Sequence, residues 1–336
     1  MTHASFGFIA HSAPTPDEGA REPADAVDVR SAGGWGFNAH LRTNDGEIAV
    51  DAAHLGLGNF IIRDDALRLA RGVTCGRDYV AAHDGARLAR AFVVDGASEA
   101  MTWRDMPVSA AAVVELHIND DDWAFARDES GTVWTFDLND ATSASARELR
   151  VPARATKIAV GSKHAIILTE DGEAYGIGWN LYGTLGLGHV EDVVEPTLIA
   201  SLRRAEIDVV DACCGQNFTI LLSRSGDLYA CGSNALGALG QGSLAAMSSA
   251  SSPTLIEHPM NVEFRSVRCS SVHVVAVASD GDLYLWGSNA YGACGVDERT
   301  TPLVFAPTRL SAIPRHGALA SVVVGRWHVS CAWSDR

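Results

Sequence analysis

Apolar and polar residues alternate along most of this chain in short runs broken by small-residue turns, a pattern with the period of β-strands rather than helices. The clearest stretch, residues 157–188, reads KIAVGSKHAIILTEDGEAYGIGWNLYGTLGLG: an apolar strand, a small-residue turn, a second apolar strand, an Asp-Gly turn and a third strand. The unit returns as DACCGQNFTILLSRSGDLYACGSNALGALGQG over residues 211–242 and as VRCSSVHVVAVASDGDLYLWGSNAYGACG over residues 267–295. Recurrence of this kind signals one repeat domain rather than two unrelated ones.

The turn glycines Gly172, Gly226 and Gly281 lie eight residues after His164, Phe218 and His273. The same offset reaches weaker stretches upstream, where it places Trp123 ahead of Gly131 and Asn38 ahead of Gly46, with Tyr79 ahead of Gly85 in a hairpin two residues shorter. His328 takes the equivalent place in the last unit, VVVGRWHVSCAWSDR, which stops before its third strand. The chain also begins with an orphan apolar segment, residues 5–10. Pairing it with the truncated last unit completes a seventh repeat and removes two sheet edges. The expectation is therefore all-β: a seven-bladed β-propeller with repeats over residues 26–336, a ring closed by residues 5–10, and a flexible linker over residues 11–25. The Asp-Gly pairs at 45–46, 84–85, 171–172 and 280–281 suit tight hairpins, because glycine accepts positive φ. Residues 242–253, GSLAAMSSASSP, read as a loop that adds no strand.

Composition narrows the function. With 26 basic against 41 acidic side chains the formal charge is -15, which repels phosphate backbones and disfavours direct nucleic-acid binding. A protein partner with a basic surface fits better. The seven cysteines, Cys75, Cys213, Cys214, Cys231, Cys269, Cys294 and Cys331, include no C-x-x-C pair, so neither a zinc site nor a disulfide framework is expected. The N-terminus lacks a cationic region followed by an apolar one, and no apolar run approaches membrane-spanning length, which points to the cytoplasm or nucleus and to no membrane contact.

Three segments carry a G-x-G-x-N-x-x-G-x-L-G pattern: Gly176, Gly178, Asn180, Gly183 and Gly186; then Gly232, Asn234, Gly237 and Gly240; then Gly287, Asn289, Gly292 and Gly295. A G-x-x-H element precedes it at Gly161-His164 and recurs at Gly325-His328, and prolines follow the repeats at Pro196, Pro253 and Pro302. The chain resembles the regulator of chromosome condensation repeat family, strongly over residues 157–336 and only in strand and turn pattern over residues 27–150. The resemblance implies a seven-bladed propeller of a family whose members act as guanine nucleotide exchange factors, light sensors or adaptors. The short chain is most similar to the small adaptor-type members.

Candidate chemistry is sparse. The run GTLGLG at 183–188 follows no parallel strand into a helix and recurs between repeats, so it reads as structural rather than phosphate-binding. His164, His273 and His328 share one repeat position with Phe218, Trp123 and Tyr79, and aromatics do not replace metal ligands. That position is expected to fill the core. Cys75, Cys214 and Cys269 read as a small apolar slot. The light-sensor alternative needs repeated tryptophan motifs that this chain lacks. Asp120, Asp121 and Asp122 read first as a solvated loop and second as a contact for a basic partner or a Ran-like small GTPase. Trp35, Lys163, Arg326 and Trp327 are the other candidate partner-binding residues. No catalytic residue, cofactor or metal is expected, and the leading function is a non-enzymatic protein-interaction adaptor, with nucleotide exchange as the alternative.

Overall fold

The computed structural model describes residues 2–7, 31–33, 38–42, 47–51, 59–63, 70–75, 79–94, 97–98, 102–105, 112–121, 123–138, 146–243, 248–258, 262–310, 318–325 and 328–334. The linker over 11–25 lies outside them.

Seven antiparallel sheets are present among the described residues. Strand β1 (Thr2–Gly7) opens the chain. One sheet runs β2 (Ser31–Gly33), β3 (Asn38–Arg42), β4 (Glu47–Asp51) and β5 (Asn59–Arg63). The next holds β6 (Gly72–Cys75), β7 (Tyr79–His83) and β8 (Arg87–Val94), with β9 (Ala97–Ser98) and β10 (Thr102–Asp105) both paired to β8. Then come β11 (Val113–Ile118), β12 (Trp123–Asp128), β13 (Val133–Asp137) and β14 (Arg147–Leu149). Two regular sheets follow: β15 (Ala155–Val160), β16 (His164–Thr169), β17 (Ala174–Gly178) and β18 (Val193–Leu198); then, after the short helix α1 (Ala200–Arg204), β19 (Val209–Cys214), β20 (Phe218–Ser223), β21 (Leu228–Ser233) and β22 (Ser249–Leu255). The sixth sheet is β23 (Phe264–Cys269), β24 (His273–Ala278), β25 (Leu283–Ser288) and β26 (Leu303–Arg309). The last contains β27 (Ala318–Val324) and β28 (His328–Ser334), and β1 completes it in the order β1-β28-β27.

The closing strand starts earlier than its apolar segment does. It covers Thr2–Gly7, in register from Thr2 opposite Trp333 to Gly7 opposite His328, because backbone pairing along β28 and not hydrophobicity sets its length.

The outermost strands are the chief departure from the sequence reading. Residues 249–253 are not loop but the first part of β22, the fourth strand of its sheet. β18, β22 and β26 are only partly buried, so nothing forces an apolar alternation on them. Each carries a proline beside a register shift, where a missing N–H is tolerated on an edge. Tyr175 opposite Leu198, Tyr229 opposite Leu255 and Tyr284 opposite Arg309 align Pro196, Pro253 and Pro307. Pro302, the proline singled out by sequence, precedes its strand.

Contacts group the chain into two compact units, one of Met1–Phe8, Ser130–Val133 and Glu148–Arg336, the other of Ile9–Glu129 and Trp134–Arg147. The core of the first is built from the fully buried middle strands β16, β20 and β24, with Trp286, Ile220 and Leu285 at its centre. The second packs Ala81, Val113, Leu116, Ala126 and Phe136 together.

Candidate functional site

One repeat position organises the loops that join first to second strands. Asn38, Tyr79, Trp123, His164, Phe218, His273 and His328 are the opening residues of β3, β7, β12, β16, β20, β24 and β28. His164, Phe218 and His273 are buried. The loop glycine three residues earlier makes this possible: a Cβ at Gly161 would stand 2.6 Å from Cε1 of His164. In the third repeat Ser270 takes that place, and its hydroxyl pairs with Nδ1 of His273 at 2.8 Å. Trp123 corrects the expectation of core filling, since it is 40% exposed. Asp120 stands at the position that Gly161, Gly215 and Ser270 hold in the other repeats.

These buried groups tie one sheet to the next. His164 Nε2 meets Thr219 Oγ1 on β20 at 2.9 Å, and Thr219 donates to the Thr184 carbonyl at 2.7 Å. Burial drives the His164 imidazole down to about 4, against a backbone hydrogen bond at Phe218 that opposes the shift. Cys214 Sγ donates to the Ala159 carbonyl at 3.4 Å, and Cys231 Sγ to that of Thr184 at 3.4 Å. Burial pushes Cys231 up to about 12 and Cys214 higher still, so both are inert thiols.

Asp211 on β19 is the densest junction. It accepts from Lys157 on β15, from the Val267 amide at 3.0 Å and from Arg268 Nη1 at 3.0 Å, both on β23. Three successive first strands thus meet at one carboxylate. Sequence reasoning passed over it, because a single Asp within an otherwise apolar strand carries no motif.

The connections between third and fourth strands are held by asparagines. Asn180 Nδ2 donates to the carbonyls of His189 and Glu191, while its Oδ1 accepts from Leu185 at 3.0 Å. Asn289 repeats the arrangement with Val296, Thr301 and Cys294. Trp286, fully buried, donates to the Ala238 carbonyl of the preceding connection at 2.8 Å.

Of the candidate partner-binding residues, Asp120, Asp121 and Lys163 fall on first-to-second strand loops. Lys163 is exposed, and its carbonyl accepts from the Trp179 amide at 3.0 Å. Asp121 is exposed and Asp120 half-buried, in a turn fixed by Asn119 Oδ1 accepting from Asp121 and Trp123. Trp35, Asp122, Arg326 and Trp327 lie outside the described residues, as does the side chain of His328. Gly172, Gly226 and Gly281 sit at the second turns with φ of 81°, 88° and 87°. Among the described residues no group of three or more His, Cys, Asp or Glu is placed to hold a metal, and no helix is long and apolar enough to cross a membrane. A cavity of about 100 Å³ beside α1, lined by Asp171, Glu173, Arg203 and Asp208 among others, has room for only a few waters.

Repeated antiparallel sheets, mostly four-stranded and stapled at equivalent positions, define a β-sheet repeat protein. Regulator of chromosome condensation (RCC1) repeats match residues 171–222, 225–277 and 280–332, and a second form of the repeat matches 155–184 and 209–238. The chain belongs to that family. Each longer match begins at the second turn of one sheet and ends in the second strand of the next, so the sequence repeat is offset from the sheet by half. The human structure of WBSCR16 is similar over 92% of this chain and 87% of its own, with 19% identity and a TM-score of 0.73. Prp20p from Saccharomyces cerevisiae, described with its binding to Gsp1p and histones, is similar over 90% and 81%, with 18% identity and a TM-score of 0.72. These likenesses show that the fold is a β-propeller. The ultraviolet-B receptor UVR8 of Arabidopsis thaliana is 33% identical over 177 residues, 52% of this chain and 38% of the receptor. The chain spans less than half the length of the curated relatives it matches.

Proposed function

We propose that this chain is a non-enzymatic protein-interaction scaffold of the cytoplasm or nucleus. The observation that carries the reading is where its reactive groups go: His164, Asp211, Cys214 and Cys231 are all engaged between neighbouring sheets. Those bonds stiffen the unit whose loop presents Lys163 to solvent, and in the other unit Asp121 is exposed on a turn fixed by Asn119. Rigid loops lose little entropy on binding, so they suit recognition more than chemistry. The net charge of -15 favours a partner with a basic surface. Affinity capture with the purified chain tests this reading: a stable, stoichiometric protein partner is the expected result, and recovery of none counts against it.

Nucleotide exchange on a Ran-like small GTPase is the second reading, favoured by the Asp120-Asp121 turn. Asn119 presets it, giving an acidic tip that need not reorganise to meet basic groups around a nucleotide. Purified chain added to a GTPase loaded with fluorescent nucleotide discriminates the two. Faster release would replace the scaffold reading with this one.

A further inference from the structure

The connections between third and fourth strands carry a feature that the scaffold framework does not require. In the three RCC1 matches the residue before the central glycine is large and apolar: Tyr182, Leu236 and Tyr291. It is exposed every time, by 40%, 38% and 53%. Leu181, beside Tyr182, is exposed as well. Isolated apolar residues on a surface need no explanation, but three at one structural position in successive sheets are a pattern.

The positions are firmly built. Consecutive tight turns hold each connection: Gly183 donates to Asn180 and Gly186 to Gly183, and the pair recurs at Gly237 and Gly240 and at Gly292 and Gly295. Each of the first two connections also rests on the outer strand of the following sheet, through Gly188 donating to Ser251 and Gly242 donating to Phe305. Tyr182 is further set by an edge-on contact with Trp179, ring centroids 5.5 Å apart. Tyr291 is held at φ 59°, a left-handed conformation uncommon for tyrosine, while its ring stays more than half exposed. Backbone strain kept at an exposed aromatic side chain is characteristic of contact sites.

The charges around these anchors select a partner. Glu191 and Asp192 on one connection and Asp297 and Glu298 on another are exposed, and Arg299 is the one Lys or Arg among the described residues of these two connections. Apolar anchors within an acidic surround complement a segment that combines aromatic or aliphatic side chains with lysine and arginine. Resting on the scaffold reading above, the geometry points to Tyr182, Leu236 and Tyr291 as a three-point docking surface for a basic, amphipathic peptide segment of a partner protein.

Fluorescence anisotropy with the whole chain tests this, using a labelled synthetic peptide in which Lys and Arg alternate with Leu and Trp. The triple variant Y182S/L236S/Y291N changes only exposed side chains, and asparagine tolerates the left-handed backbone, so the thermal midpoint should stay in place while affinity falls about tenfold or more. Reversal of the rim in E191K/E298K should weaken binding similarly. Peptides with Glu for every basic residue, or Ser for Leu and Trp, should bind about tenfold more weakly than the parent. Equal binding by the triple variant, or by the basic peptide without apolar residues, would overturn the proposal. Capture with wild type and triple variant in parallel separates the two readings: the same partners on both remove this surface and leave the scaffold, whereas no partner on either removes the scaffold.

Discussion

Asp211 Oδ2 lies 3.0 Å from Nη1 of Arg268, joining the first strands of two successive blades, and the same carboxylate also holds Lys157 of the blade before. Removing it leaves the buried Val267 amide without its acceptor and takes the carboxylate away from Lys157, while Arg268 keeps the Val267 carbonyl. Asp211→Ala should therefore cost about 2–4 kcal/mol in urea unfolding, whereas Arg268→Ala should cost under about 1 kcal/mol, because Arg268 is 48% exposed and water can replace it. Equal costs for the two variants would mean that the carboxylate is not the junction described.

His164 makes stability depend on pH in one direction. Burial lowers its folded-state value to about 4 from the usual 6.5, so as pH falls the unfolded chain takes up the proton first. The neutral imidazole thus contributes stability that is fully present above pH 6.5 and is lost progressively between 6.5 and 4. The full effect is about 3 kcal/mol as an upper figure. His164→Phe, which installs the residue found at the equivalent position 218, should flatten the wild-type decline between about pH 7.5 and 4.5 by roughly 2 kcal/mol. Parallel pH profiles for wild type and variant would exclude His164 as the source.

The sequence disclosed what is apolar and periodic. The opening residues of the second strands, His164, Phe218 and His273, could be aligned because β16, β20 and β24 are buried on both faces and end in Gly-containing turns of constant spacing. The fourth strands were hidden for the opposite reason. Half-exposed β22 is written Ser-Ala-Ser-Ser-Pro, which reads as loop, and only its pairing with β21 makes it a strand. Trp123 was misread because an aromatic residue at the shared offset reads as core, whereas the structure leaves it 40% exposed. Of the site, the asparagine staples were visible in the motif, whereas Asp211 was not, since its partners lie 54 and 57 residues away in the chain.

The N-terminal strand should be indispensable to the last blade. Six residues of β1 pair with β28, and without them β28 becomes an unprotected edge. Deleting residues 1–7 should lower unfolding stability by several kcal/mol, on the order of 3 or more, and promote self-association visible by gel filtration. A truncated chain that stays monomeric with an unchanged midpoint would show that the pairing contributes nothing.

Two glycines with similar backbone angles should respond very differently to alanine. Gly178 has φ 107°, and a Cβ there would lie 2.6 Å from the Lys163 carbonyl oxygen and 3.0 Å from the His164 Cα, inside the pairing of β16 with β17. Gly281 has φ 87° but faces open space, with nothing within 4 Å. Gly281→Ala then meets only the left-handed penalty of about 1–2 kcal/mol. Gly178→Ala adds a backbone collision that the strand pair cannot relieve without breaking its register, so it should cost about 3 kcal/mol or more and also disturb the His164-Thr219 contact. Urea midpoints for the two variants provide the comparison: a Gly178→Ala chain no less stable than Gly281→Ala would mean that the close approach of the two strands is not what the fold requires.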